Sequence, residues 1–422
     1  MKVRHLYSAC FVVTTADVTL LMDPWFSDGA FDGSWYQYPP LPRDAVDVCG
    51  PVDVVYISHI HPDHYDAAFL RKYLARFPDT KIIVGETVPP FLLKKMAADG
   101  FTATAGRDFT YGKTSVRIAA NHAYEFAAID TAIAVSDGVH SVVNFNDCHY
   151  DAAQVSQLVE ICPGGRPTFA IFPYNGAGPH PQTYEFPDES AMREAAQQKA
   201  GLWLGRYAAY VDHLRPLRAM PAAGSYWLGG PLRALNGLRG MNDATDCIGL
   251  RPEVTIVLDD GGDAEIDLAT LEATRLRTER YDPARVDAYL AELPFPGYDY
   301  EREIHLMPGR ALPLDPLVRA AVRASSSRVQ LDAPLTVVLR TRGADGPAWV
   351  FDPMDAAEVR RASGPVEASP RIELDVDARH LYGLLTRLYH WNNAEIGSHI
   401  SVKRTPDVFR RDLHAWLNGF HV

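Results

Sequence analysis

The feature that most constrains this chain is a run of metal-ligand residues directly after an apolar stretch. Residues 54–57 are typical of a buried strand, and His59, His61, Asp63 and His64 follow in the pattern H-x-H-x-D-H. Packing does not explain the run, because burying three imidazoles and a carboxylate without partners is costly. Imidazole and carboxylate groups are ligands of zinc, iron and manganese. The run therefore predicts a metal site at the carboxyl end of a strand.

The spacing of the run divides its four ligands between two metals. His59 and His61 alternate along the chain, so both imidazoles are expected to point into one cavity and to bind a first metal. Asp63 and His64 are expected to face a second metal on the other side. The motif by itself therefore predicts part of a dinuclear site.

Two later residues complete the predicted ligand set. His122 ends the strand-like run 115–122 and is assigned to the first metal. Asp147 ends a hairpin that the turn Asp137-Gly138 predicts. We assign Asp147 as the carboxylate that bridges both metals, because two neighbouring cations need an anion between them to offset their repulsion.

Two further aspartates are predicted to support the ligands. Asp23 lies in the segment LLMDPW, and Asp130 lies in AAIDT, at the start of the predicted hairpin. Both are expected to accept hydrogen bonds from the N–H groups of ligand histidines.

Local patterns predict the secondary structure around the motif and in the tail. Asp66 is expected to cap a helix with apolar residues at three- and four-residue spacing, and a strand is expected at 81–86. Helical periodicity also covers 189–214. In the tail, helices are expected at 378–389 and 406–418, after several strand-like runs.

The length of the chain and an interruption rich in glycine and proline predict two domains. The chain has 422 residues, which is too long for one ordinary core. A glycine- and proline-rich stretch at 221–232 interrupts the helical pattern. We expect a catalytic domain over 1–250 and a C-terminal α+β domain over 251–422. The C-terminal domain is expected to form one wall of the substrate cavity, to mediate dimerisation, or to do both.

The composition of the chain limits the kinds of partner that it is expected to bind. The chain carries 41 basic and 53 acidic residues, a net charge of −12, which disfavours nucleic-acid binding because phosphate would repel it. It has no apolar stretch of membrane-spanning length and no signal-peptide pattern, so a cytoplasmic location without membrane attachment is expected. Its five cysteines show no C-x-x-C spacing, which argues against a disulfide framework and a thiolate zinc finger.

The H-x-H-x-D-H run is typical of the metallo-β-lactamase superfamily, and longer segments extend the resemblance. They are similar to the catalytic part of the CMP-N-acetylneuraminate hydroxylase family, and they include MDPWFSDGAF at 22–31, residues 54–87, residues 130–148, and WNNAEIGSHISVKRTPDVFRRDLHAWLNGF at 391–420. The resemblance implies an α/β fold, an αββα metallo-β-lactamase sandwich, with a smaller C-terminal α+β domain. The superfamily holds hydrolases and oxygenases, so the fold does not name the reaction.

The chain departs from its relatives in two places. Those hydroxylases carry a Rieske domain, whose C-x-H and C-x-x-H pairs do not occur in this sequence. An oxygenase would then need electrons from a separate reductase or ferredoxin, or from the substrate. Many hydrolases of the superfamily have a late histidine, but the segment AMPAAGSYW at 219–227 has none. The hydroxylases are similar there, which favours oxygenase over simple hydrolysis.

The resemblance also indicates where an anionic substrate is expected to bind. His180, in a glycine- and proline-rich loop, is the first replacement for the missing histidine and a catalytic candidate, and His399 is the second. Aromatic residues of a long loop and an arginine complete the predicted substrate-binding residues, which are Trp25, Trp35, Tyr36, His180, Arg206 and His399. Four more arginines can meet a phosphate or carboxylate bidentately, and they are Arg215, Arg218, Arg233 and Arg239.

Two functional hypotheses follow. The first is a dinuclear-iron oxygenase that hydroxylates or otherwise oxidises a polar, anionic small molecule, such as a sugar nucleotide or a biosynthetic intermediate, with O₂ and external electrons. The alternative is a hydrolase of a phosphodiester, ester, lactone or amide, in which a bridging hydroxide attacks and Asp63 or Asp147 orients the water or accepts its proton. Iron is the expected metal, with zinc or manganese as alternatives. The sequence is also compatible with a homo-oligomer. A metal-binding scaffold without turnover is a third hypothesis.

Overall fold

Short, largely buried strands dominate the first 280 residues of the computed structural model, which describes residues 1–121, 129–305, 311–342, 346–362 and 364–422. The strands of this part are β1 (Lys2–Tyr7), β2 (Cys10–Thr14), β3 (Thr19–Met22), β4 (Trp35–Tyr36), β5 (Val54–Ile57), β6 (Lys81–Val84), β7 (Ala103–Ala105), β8 (Asp108–Tyr111), β9 (Thr114–Ala120), β10 (Thr131–Ser136), β11 (Ser141–Asn144), β12 (Phe169–Pro173), β13 (Arg218–Ala222), β14 (Trp227–Leu228), β15 (Ala264–Asp267) and β16 (Glu272–Ala273).

Helices connect these strands. They are α1 (Ala30–Gly33), α2 (Ala45–Cys49), α3 (Ala67–Arg76), α4 (Phe91–Ala98), α5 (Ala152–Val159) and α6 (Glu189–Leu214). Three segments form 3-10 helix, at Pro163–Gly165, Gly230–Leu238 and Ala244–Leu250. Among the described residues, no helix is both long enough and apolar enough to cross a membrane.

Two sheets pack face to face and form the centre of the molecule. The first has the order β16-β15-β1-β2-β3-β5-β6-β7, and the second has the order β13-β12-β11-β10-β9-β8. Side chains from both sheets, such as Phe11, Tyr56, Ile133 and Ile171, share one buried cluster between them. Removal of this apolar surface from water is the main source of stability for the pair of sheets.

Helices cover the outer faces of both sheets. Phe69 of α3 and Met96 of α4 pack on the first sheet, and Leu158 of α5 and Tyr207 of α6 pack on the second. The four layers confirm the predicted αββα sandwich. The predicted helices at 66–77 and 189–214 are confirmed as α3 and α6, and the hairpin around residue 137 is confirmed by the antiparallel pairing of β10 and β11.

The tail forms a separate α+β unit with its own sheet. Its strands are β17 (Thr336–Thr341), β18 (Ala348–Asp352), β19 (Asp355–Arg361), β20 (Arg371–Val376) and β21 (Ser401–Thr405), in the order β19-β18-β17-β20-β21. Its helices are α7 (Pro283–Glu292), α8 (Asp299–Glu303), α9 (Leu314–Arg328), α10 (Ala378–Leu385), α11 (Trp391–Ile396) and α12 (Arg411–Asn418). Helices α9, α10 and α12 pack with this sheet around a core that contains Trp349 and Trp416.

Two tail helices are shorter than the sequence predicts. Helix α10 ends at Leu385, and the positive φ of Arg387 interrupts the helical path. Helix α12 begins at Arg411, since the preceding residues pair as β21 and then reach Pro406. The domain ranges 1–250 and 251–422 stay a prediction, and strand β15 of the later range pairs with β1 of the earlier one.

Candidate metal centre

The H-x-H-x-D-H run lies where strands of both sheets end. Strands β3 and β5 are parallel neighbours, so Asp23 after β3 and His59 after β5 leave the first sheet at the same edge. Asp147 follows β11 of the second sheet. The two sheets therefore deliver carboxylate and imidazole groups to one common edge, as the sequence predicts for a site at strand ends.

His59, His64 and Asp147 form a group whose ligand atoms all lie within 4.8 Å of one another. His59 Nε2 lies 3.8 Å from Asp147 Oδ1, and His64 Nε2 lies 3.5 Å from Asp147 Oδ2. These separations are too long for strong hydrogen bonds. They suit a shared cation, because ligand atoms about 2.1 Å from one tetrahedral ion lie about 3.4 Å apart.

A chain of hydrogen bonds leaves His59 Nε2 with a lone pair. The Asp23 carboxylate accepts the backbone N–H of Ser58 and the Ser58 hydroxyl, both at 2.7 Å. Since its single hydrogen is used, the Ser58 hydroxyl accepts from Nδ1–H of His59, 2.9 Å away. Burial lowers the pKa of His59 well below its usual range, and the ring is neutral. Its Nε2 is therefore a free ligand atom.

His61 faces the same point with its own lone pair. Its Nε2–H donates to the Asn392 amide oxygen at 2.7 Å, so Nδ1 carries no proton in the neutral ring. Burial lowers the pKa of His61 as well. His61 Nδ1 lies 2.9 Å from His59 Nε2, a hydrogen-bond distance at which one proton or one cation would satisfy both nitrogens. The two rings therefore converge on one point.

His64 directs its Nε2 toward two carboxylates. Its Nδ1 donates to Asp23 Oδ2 at 3.0 Å, which confirms the contact that the sequence predicts for Asp23. Its Nε2 lies 3.5 Å from oxygens of both Asp63 and Asp147. Burial lowers the pKa of His64, but the charges of Asp147, Asp63 and Asp23 outweigh burial and raise it. A metal cation in place of that proton would satisfy the same carboxylates.

Four aspartates crowd the site, which are Asp23, Asp63, Asp130 and Asp147, and a bound cation would offset their charge. Burial raises the pKa of Asp63 to about 7 and that of Asp130 to about 8. Burial also acts to raise the pKa of Asp147, but the charges of His64 and His59 lower it. Oδ1 of Asp63 is buried and has no hydrogen-bond partner among the described residues. An orphaned carboxylate oxygen beside bare imidazole nitrogens fits a bound metal.

The structure thus brings together five of the six predicted ligands, which are His59, His61, Asp63, His64 and Asp147. Their division between two metals stays a prediction. The sixth, His122, lies outside the described residues. Asp130 lies within 4.8 Å of His59 and Cys148 through its ligand atom, beside the predicted centre.

The predicted aromatic residues are buried in a wall beside the site. Trp35 stacks on Tyr226, with ring centroids 3.4 Å apart and planes at 2°, and its other ring neighbours include Phe31 at 4.4 Å. Trp25 packs in the same cluster. Tyr36 lies on strand β4 next to this cluster and is also buried. The Phe31 ring lies 5.9 Å from the His61 ring, so the wall reaches the metal ligands.

The other predicted substrate residues occupy three different surroundings. His180 packs against Tyr184 and Phe186 of its own loop. Arg206 donates to His149 at 2.5 Å. His399 lies in a second buried cluster and is 2.9 Å, through Nε2, from the carbonyl oxygen of Phe31. Their roles toward a substrate stay predictions.

Several supporting residues were not predicted from the sequence. Ser58 orients His59, Cys148 lies beside Asp130, and Tyr226 extends the aromatic wall. Ser58 and Cys148 are each adjacent in sequence to a ligand residue, and this adjacency is the sequence signal that could have identified them. Asn392 belongs to the WNN segment of the tail, 331 residues from His61, and no local pattern connects the two.

Comparisons with known proteins agree with the N-terminal fold. Residues 2–145 match the family model of the Beta-lactamase superfamily domain. A Mycolicibacterium smegmatis protein named for a Rieske 2Fe-2S iron-sulfur cluster is 29% identical over 250 residues, which are 57% of this chain and 47% of that protein. The chain spans about half the length of the first curated relatives that it matches.

A hydroxylase and a solved structure extend the comparison. The cytidine monophosphate-N-acetylneuraminic acid hydroxylase of Asterias rubens is 31% identical over 94 residues, 22% of this chain and 14% of that enzyme. The isothiocyanate hydrolase from Delia radicum gut bacteria aligns with 63% of this chain and 98% of its own, at 13% identity and a TM-score of 0.43. The chain therefore carries a metallo-β-lactamase-fold domain and is homologous to a region of the CMP-N-acetylneuraminate hydroxylases.

Proposed function

We propose that this protein is a dinuclear-iron oxygenase that hydroxylates or otherwise oxidises a polar, anionic small molecule. The homology to the CMP-N-acetylneuraminate hydroxylases carries this proposal. The metal-binding character of the site supports it, because bare imidazole nitrogens and buried carboxylates converge there. Imidazole and carboxylate ligands suit iron, and zinc or manganese are the alternatives.

Each ligand has a proposed place. His59 and His61 would hold one ion, Asp63 and His64 the other, and Asp147 would bridge them. Two iron ions in this site would supply the chemistry of O₂ activation. The chain's contribution is to orient the ligand rings through hydrogen bonds and to keep water away with the buried aromatic wall.

The surroundings of the second ion favour an oxygenase over a hydrolase. Tyr226 occupies the segment where many hydrolases of the superfamily have a histidine, and its side chain is buried beside Arg239. Burial raises the pKa of Tyr226, Arg239 opposes this rise, and the charge of Asp63 adds to it. With no histidine in this segment, fewer protein ligands are available to the second ion.

The proposed substrate carries negative charge, and Arg206 is the proposed contact. Its guanidinium lies 4.8 Å above the Trp203 ring and bonds to His149, two residues after Asp147. No carboxylate among the described residues lies within ion-pair distance of Arg206. An arginine without a carboxylate partner, next to the metal ligands, is suited to bind an anion.

The electrons are proposed to come from a separate reductase or ferredoxin. The names of the mycobacterial relatives refer to a Rieske 2Fe-2S protein, which is a class of one-electron carrier. A homo-oligomer and a cytoplasmic location stay predictions, as do catalytic roles for Asp63, Asp147 and His180.

Elemental analysis and O₂ uptake test the proposal. We expect protein purified without chelators to hold about two iron ions per chain, to show a near-ultraviolet charge-transfer band and to consume O₂ when reduced. Zinc content with anaerobic turnover of phosphodiester or lactone probes would establish the hydrolase instead. Less than one metal per chain in every preparation would contradict both functions.

A further inference from the structure

A separate cavity lies against helix α6, the 3-10 segment Gly230–Leu238 and helix α7. Its volume is about 750 Å³, which is within the range of small-molecule sites. None of the described metal-ligand residues lines it. Its walls contain aromatic rings and five arginines, which are Arg193, Arg233, Arg239, Arg277 and Arg280.

Four of these five arginines are neutralised by neighbours. Each forms an ion pair with a carboxylate, and the pairs are Arg193 with Glu189, Arg233 with Asp287, Arg277 with Asp243, and Arg280 with Asp246. Arg239 differs. Among the described residues, no carboxylate lies within ion-pair distance of its guanidinium, although Arg239 is only 2% exposed.

The neighbours of Arg239 accept some of its hydrogen bonds but do not neutralise its charge. Nε donates to the carbonyl of Asn236 at 3.2 Å, and Nη1 donates to the carbonyl of Tyr226 at 2.5 Å. The guanidinium also lies 4.6 Å from the Tyr226 ring and 5.0 Å from the Trp227 ring. Carbonyls and ring faces are neutral, and a buried charge without a counter-ion is costly.

A second basic residue, Lys199, is affected by the charge of Arg239 but does not line the cavity. Lys199 of α6 donates to the carbonyl of His180 at 2.9 Å. Burial and then the charge of Arg239 lower the pKa of Lys199 to about 7. An anion bound at Arg239 would offset the charge that lowers this pKa.

We propose that this cavity binds a small molecule that carries a phosphate or carboxylate group, and that Arg239 receives the oxyanion. The planar guanidinium matches either group bidentately. The rings of Tyr226, Trp227 and Tyr281 offer apolar faces to the rest of the ligand. None of the described metal-ligand residues is shared with this cavity, so the site is distinct from the metal centre and does not depend on which reaction the metals perform.

Titration calorimetry with phenyl phosphate and with benzoate tests the proposal and distinguishes the two oxyanions. We expect at least one of them to bind the full chain, and chelation of the metals to leave the affinity unchanged. Arg239→Gln is expected to weaken binding at least about tenfold, because among the described residues of the cavity wall Arg239 is the one arginine that has no carboxylate partner.

A cavity-filling variant keeps the test valid if Arg239→Gln does not fold. A Cβ at Gly237, which lines the cavity, meets no atom within 4 Å, so Gly237→Trp fills the space without a clash at Cβ. Gly205→Trp is the matched control, because a Cβ at Gly205 is equally open and lies outside the cavity lining. We expect the first variant to weaken binding at least about tenfold and the control to leave it unchanged.

Three outcomes would overturn the inference. They are no binding of either probe at about 1 mM, binding that Gly237→Trp leaves intact, and binding that disappears on chelation, which would place the anion at the metals. The last outcome would leave the oxygenase proposal standing. Failure of the oxygenase proposal shows instead as wrong metal content or no O₂ uptake, whatever the cavity binds.

Discussion

Two buried clusters of this molecule contain the same kinds of side chain and differ in geometry. The metal cluster contains His59, His64 and Asp147. The other, here called the interdomain cluster, joins the N-terminal loop to the tail, and its members are Asp32, His380 and His399. The two clusters contain the same types of residue, so only the distances between their atoms distinguish them.

Hydrogen bonds join the members of the interdomain cluster to the N-terminal loop, although His380 Nδ1 is buried without a partner among the described residues. His380 Nε2 lies 2.9 Å from Asp32 Oδ2, and His399 Nε2 lies 2.9 Å from the carbonyl oxygen of Phe31. The His380 ring also stacks on Tyr300, with centroids 4.4 Å apart. Burial lowers the pKa of both histidines to about 3, so the rings are neutral hydrogen-bond donors.

The metal cluster holds its atoms further apart. The nitrogens of His59 and His64 lie 3.8 and 3.5 Å from the Asp147 oxygens, and Asp63 Oδ1 has no partner among the described residues. A cluster at hydrogen-bond distance holds two parts of a fold together, whereas a cluster whose nitrogen and oxygen atoms are further apart has room for a cation between them. Each prediction below compares the two clusters or the contacts around them.

The largest expected effect follows from removal of the proposed bridging carboxylate. Asp147→Ala should lose metal from both sites, because both ions are expected to share this anion. Elemental analysis after dialysis measures the loss. Asp32→Ala is the matched control from the interdomain cluster and should retain the metal content of the unmodified chain. An unchanged metal count in Asp147→Ala would refute its bridging role.

Asn392→Ala should weaken metal binding about 10- to 100-fold, as expected when the hydrogen bond that orients a ligand histidine is removed. The variant leaves His61 Nε2–H without its 2.7 Å acceptor. Competition with a chromogenic chelator measures the affinity. Asn393→Ala, one residue further along α11, is the control and should bind metal normally. Equal affinities in both variants would mean that Asn392 does not position His61.

Asp32→Ala should lower the free energy of unfolding by about 1–3 kcal/mol, because it leaves the buried Nε2–H of His380 without an acceptor. Urea denaturation of the metal-loaded chain measures the change. An unfolding free energy equal to that of the unmodified chain would contradict a structural role for the interdomain cluster.

The smallest expected effect comes from a more exposed pair in the tail. His414 Nδ1 lies 3.1 Å from Glu395 Oε2. Burial lowers the pKa of His414, but the hydrogen bond and charge of Glu395 outweigh burial and raise it. A raised pKa in the folded state stabilises the protein below the unfolded value of about 6.5, and the stabilisation is lost as the pH rises through the folded value.

Thermal unfolding of the unmodified chain and of His414→Gln should therefore differ at about pH 6 and converge toward about pH 9. Glu395→Gln, which removes the partner's charge, should show the same convergence. A difference between the variant and the unmodified chain that stays constant over this pH range would show that the pair contributes no pH-dependent stability.

Local patterns predicted much of the fold. The apolar run at 54–57, the turn at Asp137-Gly138 and the long helical pattern at 189–214 each depend on neighbours in sequence, and the structure contains each element. The concentration of ligands at 59–64 was visible for the same reason, because a single tight turn carries them.

Contacts between distant residues were decided by the tertiary structure alone. Asn392 meets His61 across 331 residues, and His380 meets Asp32 across 348, and no periodicity or spacing connects such pairs. The same holds for the arginines, since the sequence treats Arg233 and Arg239 alike. Only the fold decides that the first pairs with Asp287 and that the second is buried with neutral partners.

The sequence by itself thus determined which chemical groups stand at the metal edge, because these groups belong to short local motifs. Their separations, the protonation of each ring nitrogen and the identity of the unpaired charges depend on how distant elements pack. The physical reason is that hydrogen bonds and Coulomb interactions act through space over a few ångströms, while sequence patterns report only on residues that are close along the chain.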